Sequence, residues 1–500
     1  VTAFVVFAAG AGTRVGRVGA NLHKALLPLG QQAVLSHLFD RAPADARLVV
    51  CVGNRAQQIR DYVELAHPSL DVTFVDVPDW DQPDAGPGRT LLAARDVIGD
   101  DDVIVTSCDT LWADDPSLWT VPESWAAYAP MPAGTLPERW CRLDLVKDDV
   151  ISVLDKRSDC PSVRNVYIGL AYITQHDLPR FWKGITNSEL LNGEMRDVAG
   201  IAALVQRGLG ARAVDWIDTG DESAYRRAVA RFSGYDWTKI DQATYVLPGE
   251  RRVVKYMSDE RAIASRKTRG IALSRATPTH VASRDNMLAY DYVAGDTVYS
   301  RLDEYDQIWA CKLVPQLLEW RTEYLTDSID VSPGSCVYAA MRFYEDKTYR
   351  RIAQLRAPLR QQAVDVVNRV DIGALAAGFE PGVPHGDLNF GNIIITPEQR
   401  FVGVDWREDF AGKPWFDLRY DVAKLLAGCV VHWDRARRGD LTPWDAGRWY
   451  ADIILDYIEG DTHDIEVIAA LSLLNSAPLH AEPLDEILVA RGCAWLERLT

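Results

Sequence analysis

The chain has 500 residues, 48% of them hydrophobic and 25% charged, with a formal net charge of -17. That length is too great for one hydrophobic core, so two or more domains are expected. The acidic balance excludes a general nucleic-acid binder, which needs a basic footprint. Eight cysteines without a C-x-x-C pair exclude a zinc knuckle or disulfide framework and point to a reducing, cytoplasmic compartment.

No apolar run approaches the length of a membrane span. The apolar N-terminus lacks a basic leader and runs straight into glycines, so it is expected to be a core strand rather than a signal peptide. A start at Val1 implies an initiator Met removed or replaced.

Phe4 to Ala9 is the first apolar run, followed by Gly10-Ala11-Gly12-Thr13-Arg14 and, after a short loop, Lys24 with apolar Ala25-Leu26-Leu27. Glycines after a strand let backbone approach a ligand and aim N–H groups at phosphate. Arg14 and Lys24 add the positive charge a triphosphate needs. A P-loop would place Lys directly after its last Gly, and the dinucleotide fingerprint would need G-x-G-x-x-G; neither is present. The spacing to Lys24 resembles the signature of the nucleotidyltransferases that make sugar- and choline-type nucleotides. It departs from the usual pattern in having His23 where a Pro precedes the active Lys.

After a helix-like Val34–Arg41, Leu48–Val52 and Val72–Val77 read as further strands. Alternating strands and helices predict a mostly parallel, doubly wound sheet with ligands at the carboxyl ends of strands. Gly86-Pro87-Gly88-Arg89-Thr90 opens a helix, whose free N–H groups could meet a ligand or simply be capped by Thr90. In the family it resembles, a similar element contacts base and ribose, which makes Gly86, Gly88 and Thr90, with Gly10, Gly12 and Thr13, the nucleotide-binding candidates.

Asp102–Cys108 is an apolar strand that delivers Asp109 at its carboxyl end, where a carboxylate can hold Mg²⁺ against a triphosphate. Trp216-Ile217-Asp218 resembles the late strand that carries the second metal carboxylate; Asp215 and Asp221 nearby read as solvent-facing or capping. In the same family a Lys reaches the substrate phosphate, so Lys156 is a candidate, with a solvated Lys as the alternative. Glu194 could face the substrate or start a helix. The many tryptophans of this half read as packing, with one or two available for a quaternary-ammonium cage.

A second pattern follows Phe232–Trp237. Tyr245 to Lys255 reads as strand, turn, strand, and Lys255 stands where a kinase lobe places the Lys that pairs with ATP phosphates. Glu260 is the nearest acid on the next helical stretch. Met287–Gly295 looks like the strand and hinge beside adenine, which makes Asp291 a nucleotide-binding candidate. Pro384-His385-Gly386-Asp387, Asn392 and, after a second strand, Asp405-Trp406 resemble the H-G-D-x-x-x-x-N…D signature of the choline kinase and aminoglycoside phosphotransferase families. Asp387 can accept the proton of a substrate hydroxyl, and Asn392 and Asp405 can ligate Mg²⁺. His385 reads as a brace, Asp417 and Asp421 as acidic residues supporting the loop. Met341–Arg350 carries basic groups that either line the acceptor site or form a solvated helix.

Together the two resemblances imply a Rossmann-like doubly wound α/β nucleotidyltransferase domain over 1–232, a linker at 233–244, and a two-lobed protein-kinase-like α+β phosphotransferase domain over 245–500. They imply a bifunctional, Mg²⁺-dependent enzyme. It would phosphorylate a small alcohol, choline-like or polyol, with ATP through Asp387. It would then transfer a nucleoside monophosphate, from CTP or another NTP, to the product with Lys24 and Arg14. No nucleic-acid or membrane partner is expected, and a homo-oligomer stays open. The alternatives are a sugar kinase joined to a sugar-1-phosphate nucleotidyltransferase, and a regulatory protein with an inactive kinase module.

Overall fold

The computed structural model describes residues 2–120, 122–156, 160, 162–190, 194–233, 241–304, 307–324 and 329–500. The expected linker residues 234–240, and Asn192 and Gly193 beside Glu194, lie outside the described residues. By its contacts the chain forms two compact units: residues 1–250 with 254–258, and 251–253 with 259–500. Among the described residues no helix is long and apolar enough to cross a membrane.

The first unit is built on a nine-stranded sheet. In chain order its elements are β1 (Thr2–Ala8), α1 (Val34–Arg41), β2 (Arg47–Val52), α2 (Ala56–Ala66), β3 (Val72–Asp76), α3 (Pro87–Ile98), β4 (Asp102–Ser107), β5 (Thr110–Trp112), β6 (Trp125–Pro130), β7 (Arg142–Val146), β8 (Asp149–Leu154), β9 (Asn165–Ile173), α4 (Leu178–Thr186), α5 (Val198–Leu204), β10 (Gly210–Ala213), β11 (Trp216–Asp218) and α6 (Glu222–Ser233). The sheet order is β3-β2-β1-β4-β9-β6-β10-β8-β7, and β5 pairs separately with β11.

Strand β1 is buried on both faces, which its unbroken apolar run requires. Ala3, Val5 and Phe7 pack with Leu91, Ala94 and Ile98 of α3 and with Phe181 and Ile201 of α4 and α5. Phe4, Val6 and Ala8, equally buried, point to the opposite face.

β1, β2, β3 and β4 are parallel. The chain adds β2 and β3 on one side of β1 and returns to place β4 on the other. The loops after β1 and β4 therefore diverge at a topological switch point, where open α/β sheets bind ligands. The expectation of a mostly parallel sheet holds for this half. Beyond β4 the sheet turns mixed: β9 runs antiparallel to both β4 and β6, and β7–β8 is an antiparallel hairpin. Its tight turn puts Lys147 in the left-handed region, at φ 53°. A hairpin needs only a short turn, and the parallel rule does not bind it.

The strand Gln242–Leu247 and most of the strand Arg252–Met257 belong with this first unit. The Val246 amide donates to the Gln31 carbonyl at 2.7 Å, and the Tyr256 hydroxyl to the Asn21 carbonyl at 2.6 Å.

In the second unit, His280–Ser283 pairs antiparallel with Met287–Asp291. Ile393–Ile395 pairs with Phe401–Gly403 and with Asp296–Thr297. The helix Glu260–Ala272 is started by Asp259, whose carboxylate accepts from the Arg261 amide at 3.0 Å. Helix Arg419–Val430 is buried on nearly all sides and packs on His463–Ser476, which in turn packs on Leu484–Leu499. A helix buried all round suits the centre of a helical layer.

Candidate active sites

In the first unit the loop after β1 begins with Gly10, fully open to solvent on its Cβ side, and Gly12, at φ 67°. The Lys24 stem lies against Gly12, 3.5 Å from where a Cβ would stand. This directs the ammonium across the switch point, where Lys24 Nζ meets Asp109 Oδ2 at 2.8 Å, both side chains being largely buried. Ser107 donates to the other Asp109 oxygen.

Burial alone would raise the Asp109 carboxyl. Lys24, the Ser107 hydroxyl and Arg14 outweigh it and hold the group below the usual carboxylate range. Burial likewise opposes the Lys24 charge, but Asp109 keeps the ammonium above its ordinary value.

Asp218 ends β11, the partner of β5 just beyond Asp109. Its Oδ1 accepts from the Gly220 amide at 2.8 Å. Burial first, then the charges of Asp109 and Asp221, push its carboxyl up to about 6. A Cβ at Gly220 would stand 3.1 Å from Asp218 Oδ1 and 3.3 Å from Asp109 Oδ2. The two carboxylates thus flank one small cradle, kept open by the absent side chain. Oxygen donors of this kind fit a hard divalent cation. Asp221 instead caps α6, accepting from the Ala224 amide, and exposed Asp215 pairs with Arg231.

A cavity of about 760 Å³ collects most of the first-unit candidates. Gly10, Gly12, Thr13, Arg14, Lys24, Gly86, Thr90, Asp109, Lys156, Glu194 and Asp218 line it. Gly88 does not reach it. Its amide donates to the Met195 carbonyl at 3.0 Å, and a Cβ there would meet the Arg196 backbone at 2.9 Å, so this glycine serves close packing. Thr90 is no cap: Gly86 is the N-cap of α3, and the Thr90 hydroxyl bonds back to the Gly86 carbonyl. Glu194 precedes α5 by four positions and so does not start it.

Trp140 and Trp216 meet edge to face at 5.5 Å on the cavity wall, while Trp112, Trp125 and Trp182 are core. The sequence pattern gives Ser107 no role, whereas Trp140 is among the tryptophans expected to pack or to form a cage. The signal for Ser107 was its place two residues before Asp109 on the same strand.

In the second unit, Asp387 follows Gly386, at φ 85°, against which Arg407 and Phe410 pack. Asp421, fully buried, accepts from the His385 amide at 2.6 Å and the Gly386 amide at 2.7 Å, fixing the turn. Asn392 Nδ2 donates to Asp387 Oδ2 at 3.1 Å, and Lys424 Nζ meets Asp387 Oδ1 at 2.9 Å. Burial works against the Asp387 charge, and Lys424 more than compensates, leaving the carboxyl below its ordinary value.

Asp405 sits in the left-handed region at φ 57°, an uncommon state for a non-glycine. The buried Arg266 guanidinium reaches Asp405 Oδ1 at 2.9 Å and Glu408 at 3.3 Å. His385 is buried and kept neutral, its imidazole lowered to about 4 chiefly by burial. Arg269, fully buried, donates to the carbonyls of Pro384, Arg407 and Pro414 and ties the two loops together. Asp417 pairs with Arg419 and is not itself on the Asp387 loop.

Asp291 is tied to Arg252 at 3.0 Å. Lys255 is buried and belongs with the first unit. Lys424 was missed in the sequence, although a lone Lys in an otherwise apolar helical run was its signal. Arg266 lies on a helix rich in basic residues, where nothing local marks it.

Among the described residues no group of three or more His, Cys, Asp or Glu could hold a metal ion. The candidate sets are a carboxylate pair in the first unit and Asp405 with Asn392 in the second.

Residues 4–136 match the MobA-like NTP transferase domain. The first unit carries an NTP transferase domain. The match spans β1 to β6 and includes Gly10, Lys24 and Asp109. Among solved structures, the chain is similar to a UDP-glucose pyrophosphorylase from Acinetobacter baumannii. That likeness has 16% identity and a TM-score of 0.39, and covers 47% of this chain and 93% of that one. It is also similar to a UDP-glucose pyrophosphorylase complexed with UDP-glucose, at 19% identity and a TM-score of 0.40, covering 46% of this chain and 98% of that one. A comparison with curated proteins finds no match.

Proposed function

We propose that the chain is a bifunctional enzyme, with nucleotidyl transfer in the NTP transferase domain and small-alcohol phosphorylation in the second unit. The observation that carries the first activity is the Lys24–Asp109 pair at the switch point, facing Asp218 across the Gly220 cradle. The triphosphate of CTP, or of another NTP, lies along the Gly10–Arg14 loop. A phosphate or phosphonate oxygen of the acceptor attacks the α-phosphorus in line, the bond to the β-phosphate bridging oxygen breaks, and pyrophosphate leaves. Lys24 and Arg14 meet the charge that builds on the α-phosphate and leaving group. Lys156 holds the acceptor phosphate, and Glu194 borders its far end.

Asp109 and Asp218 would hold Mg²⁺, which supplies charge neutralisation at the triphosphate when bound. Asp218 is suited to this, because a cation beside it relieves the burial and like-charge repulsion that raise its carboxyl.

In the second unit Asp387 accepts the proton of the acceptor hydroxyl as that oxygen attacks the γ-phosphorus of ATP. Asn392 and Asp405 would hold Mg²⁺ there, and Asp291 would contact ATP. The product would be a substrate for the first activity, giving a CDP-activated precursor for surface glycan or lipid decoration.

Purified protein supplied with each of the four NTPs, pyrophosphatase and a panel of phosphorylated alcohols tests the reading. Pyrophosphate release with CTP supports it. Release only with another NTP and a sugar 1-phosphate moves the assignment to sugar-nucleotide synthesis.

A further inference from the structure

The segment Met341–Asp346 is a π-helical turn that runs into helix Lys347–Ile352. Such turns are uncommon and recur at functional sites. Here the turn presents Phe343, and two cations converge on its ring: Lys347 Nζ at 3.7 Å and the Arg407 guanidinium at 5.2 Å from the centroid. Arg351, one helical turn after Lys347, shares its face.

Among the described residues neither Lys347 nor Arg351 has a carboxylate within ion-pair distance, and the acid whose charge acts on both, Glu408, is engaged by Arg266. Burial, then Arg407, Arg351 and Lys424, draw the Lys347 ammonium well below its ordinary value. Arg407 packs on Gly386, the residue before Asp387, and Lys424 pairs with Asp387 itself. Three cations, Lys347, Arg351 and Arg407, therefore gather beside the loop of the carboxylate that would receive the acceptor's proton. A like-charge cluster of this kind costs stability unless an anion joins it.

We propose that the phosphoryl acceptor is an anionic alcohol whose carboxylate, phosphate or phosphonate is held by Lys347, Arg351 and Arg407 while its hydroxyl faces Asp387. This rests on the kinase reading of the second unit, and it narrows the acceptor away from choline-like cations. In the step, the acceptor oxygen forms a bond to the γ-phosphorus of ATP, the bond to the β–γ bridging oxygen breaks, ADP leaves, and the hydroxyl proton passes to Asp387.

The test uses the full chain with labelled ATP. Glycerate, glycerol 3-phosphate and 2-hydroxyethylphosphonate are offered against choline, ethanolamine and glycerol. Transfer to an anionic probe, at a kcat/KM at least about tenfold above the neutral and cationic ones, is expected. The double variant Lys347→Met, Arg351→Met should raise KM for that probe about tenfold or more and leave KM for ATP unchanged.

Preference for choline or glycerol overturns the proposal, as does a double variant that weakens ATP instead. It also falls if none of the anionic probes either accepts phosphate or competes with Asp387-dependent ATP hydrolysis. Should ATP turnover be the same in wild type and Asp387→Ala, the kinase reading itself fails, a result separate from the choice of acceptor.

Discussion

Lys24 and Asp109, 85 residues apart in sequence, form a 2.8 Å ion pair that bridges the loops after β1 and β4. Each holds the other charged against burial, and the proposed nucleotidyl transfer sets a triphosphate beside both. Lys24→Ala should lower nucleotidyl transfer about 100- to 1,000-fold, by analogy with loss of one oxyanion donor. It should also destabilise the first unit by about 3–5 kcal/mol, because Asp109 is left buried and unpaired. The double variant Lys24→Met, Asp109→Asn separates the two effects. Denaturant unfolding should show most of the stability regained, while pyrophosphate release stays lost.

Gly220→Ala tests the cradle without touching a charge. Its Cβ would stand between the two carboxylates, displacing any cation by a fraction of an ångström or more. Transfer should fall about 100-fold and recover in part at high Mg²⁺, with circular dichroism unchanged. Normal kinetics at low Mg²⁺ would show that no ion is held there.

Stability of the first unit should fall with acidity below pH 6.5 through His23. This imidazole is buried, caps the turn at Lys24–Leu26 by accepting from the Ala25 amide, and is lowered to about 3, chiefly by burial and then by Lys24. Between about pH 3 and 6.5 the unfolded chain binds a proton that the native state refuses, so unfolding gains about 1.4 kcal/mol per pH unit from this group. His23→Asn keeps a capping oxygen and removes the titration. The stability difference between variant and wild type, measured from pH 7 to 5, should move in favour of the variant as pH falls.

Asp421→Ala should leave the His385 and Gly386 amides buried without acceptors, at about 1–3 kcal/mol each. Asp387 then loses its fixed position. Kinase turnover should drop while pyrophosphate release from CTP is unchanged, which a pair of coupled assays on one preparation would read.

The residues most legible in the sequence were those that end an apolar strand with a charge. Asp109 after β4 and Asp218 at the end of β11 needed only local pattern to be placed at carboxyl ends. The glycines and Lys24 were legible through their spacing. What the sequence hid was non-local. The antiparallel insertion of β9 beside β4 depends on which edge the chain returns to, and no window of residues encodes that. Gly88 looked like its neighbour Gly86, yet the backbone of Arg196 decides that it packs and does not bind. Arg269 and Arg266 sit on a helix rich in basic residues, where no local pattern marks them. Their burial comes from the loops around Asp387 and Asp405, more than a hundred residues later.

The most direct measurement pairs two variants in two assays: ATP-dependent phosphorylation of a small alcohol, and pyrophosphate release from CTP with its phosphorylated product. Two independent sites predict that Asp387→Ala loses only the first and Lys24→Ala only the second. Loss of both activities in either folded variant, or of neither in both, would contradict the account.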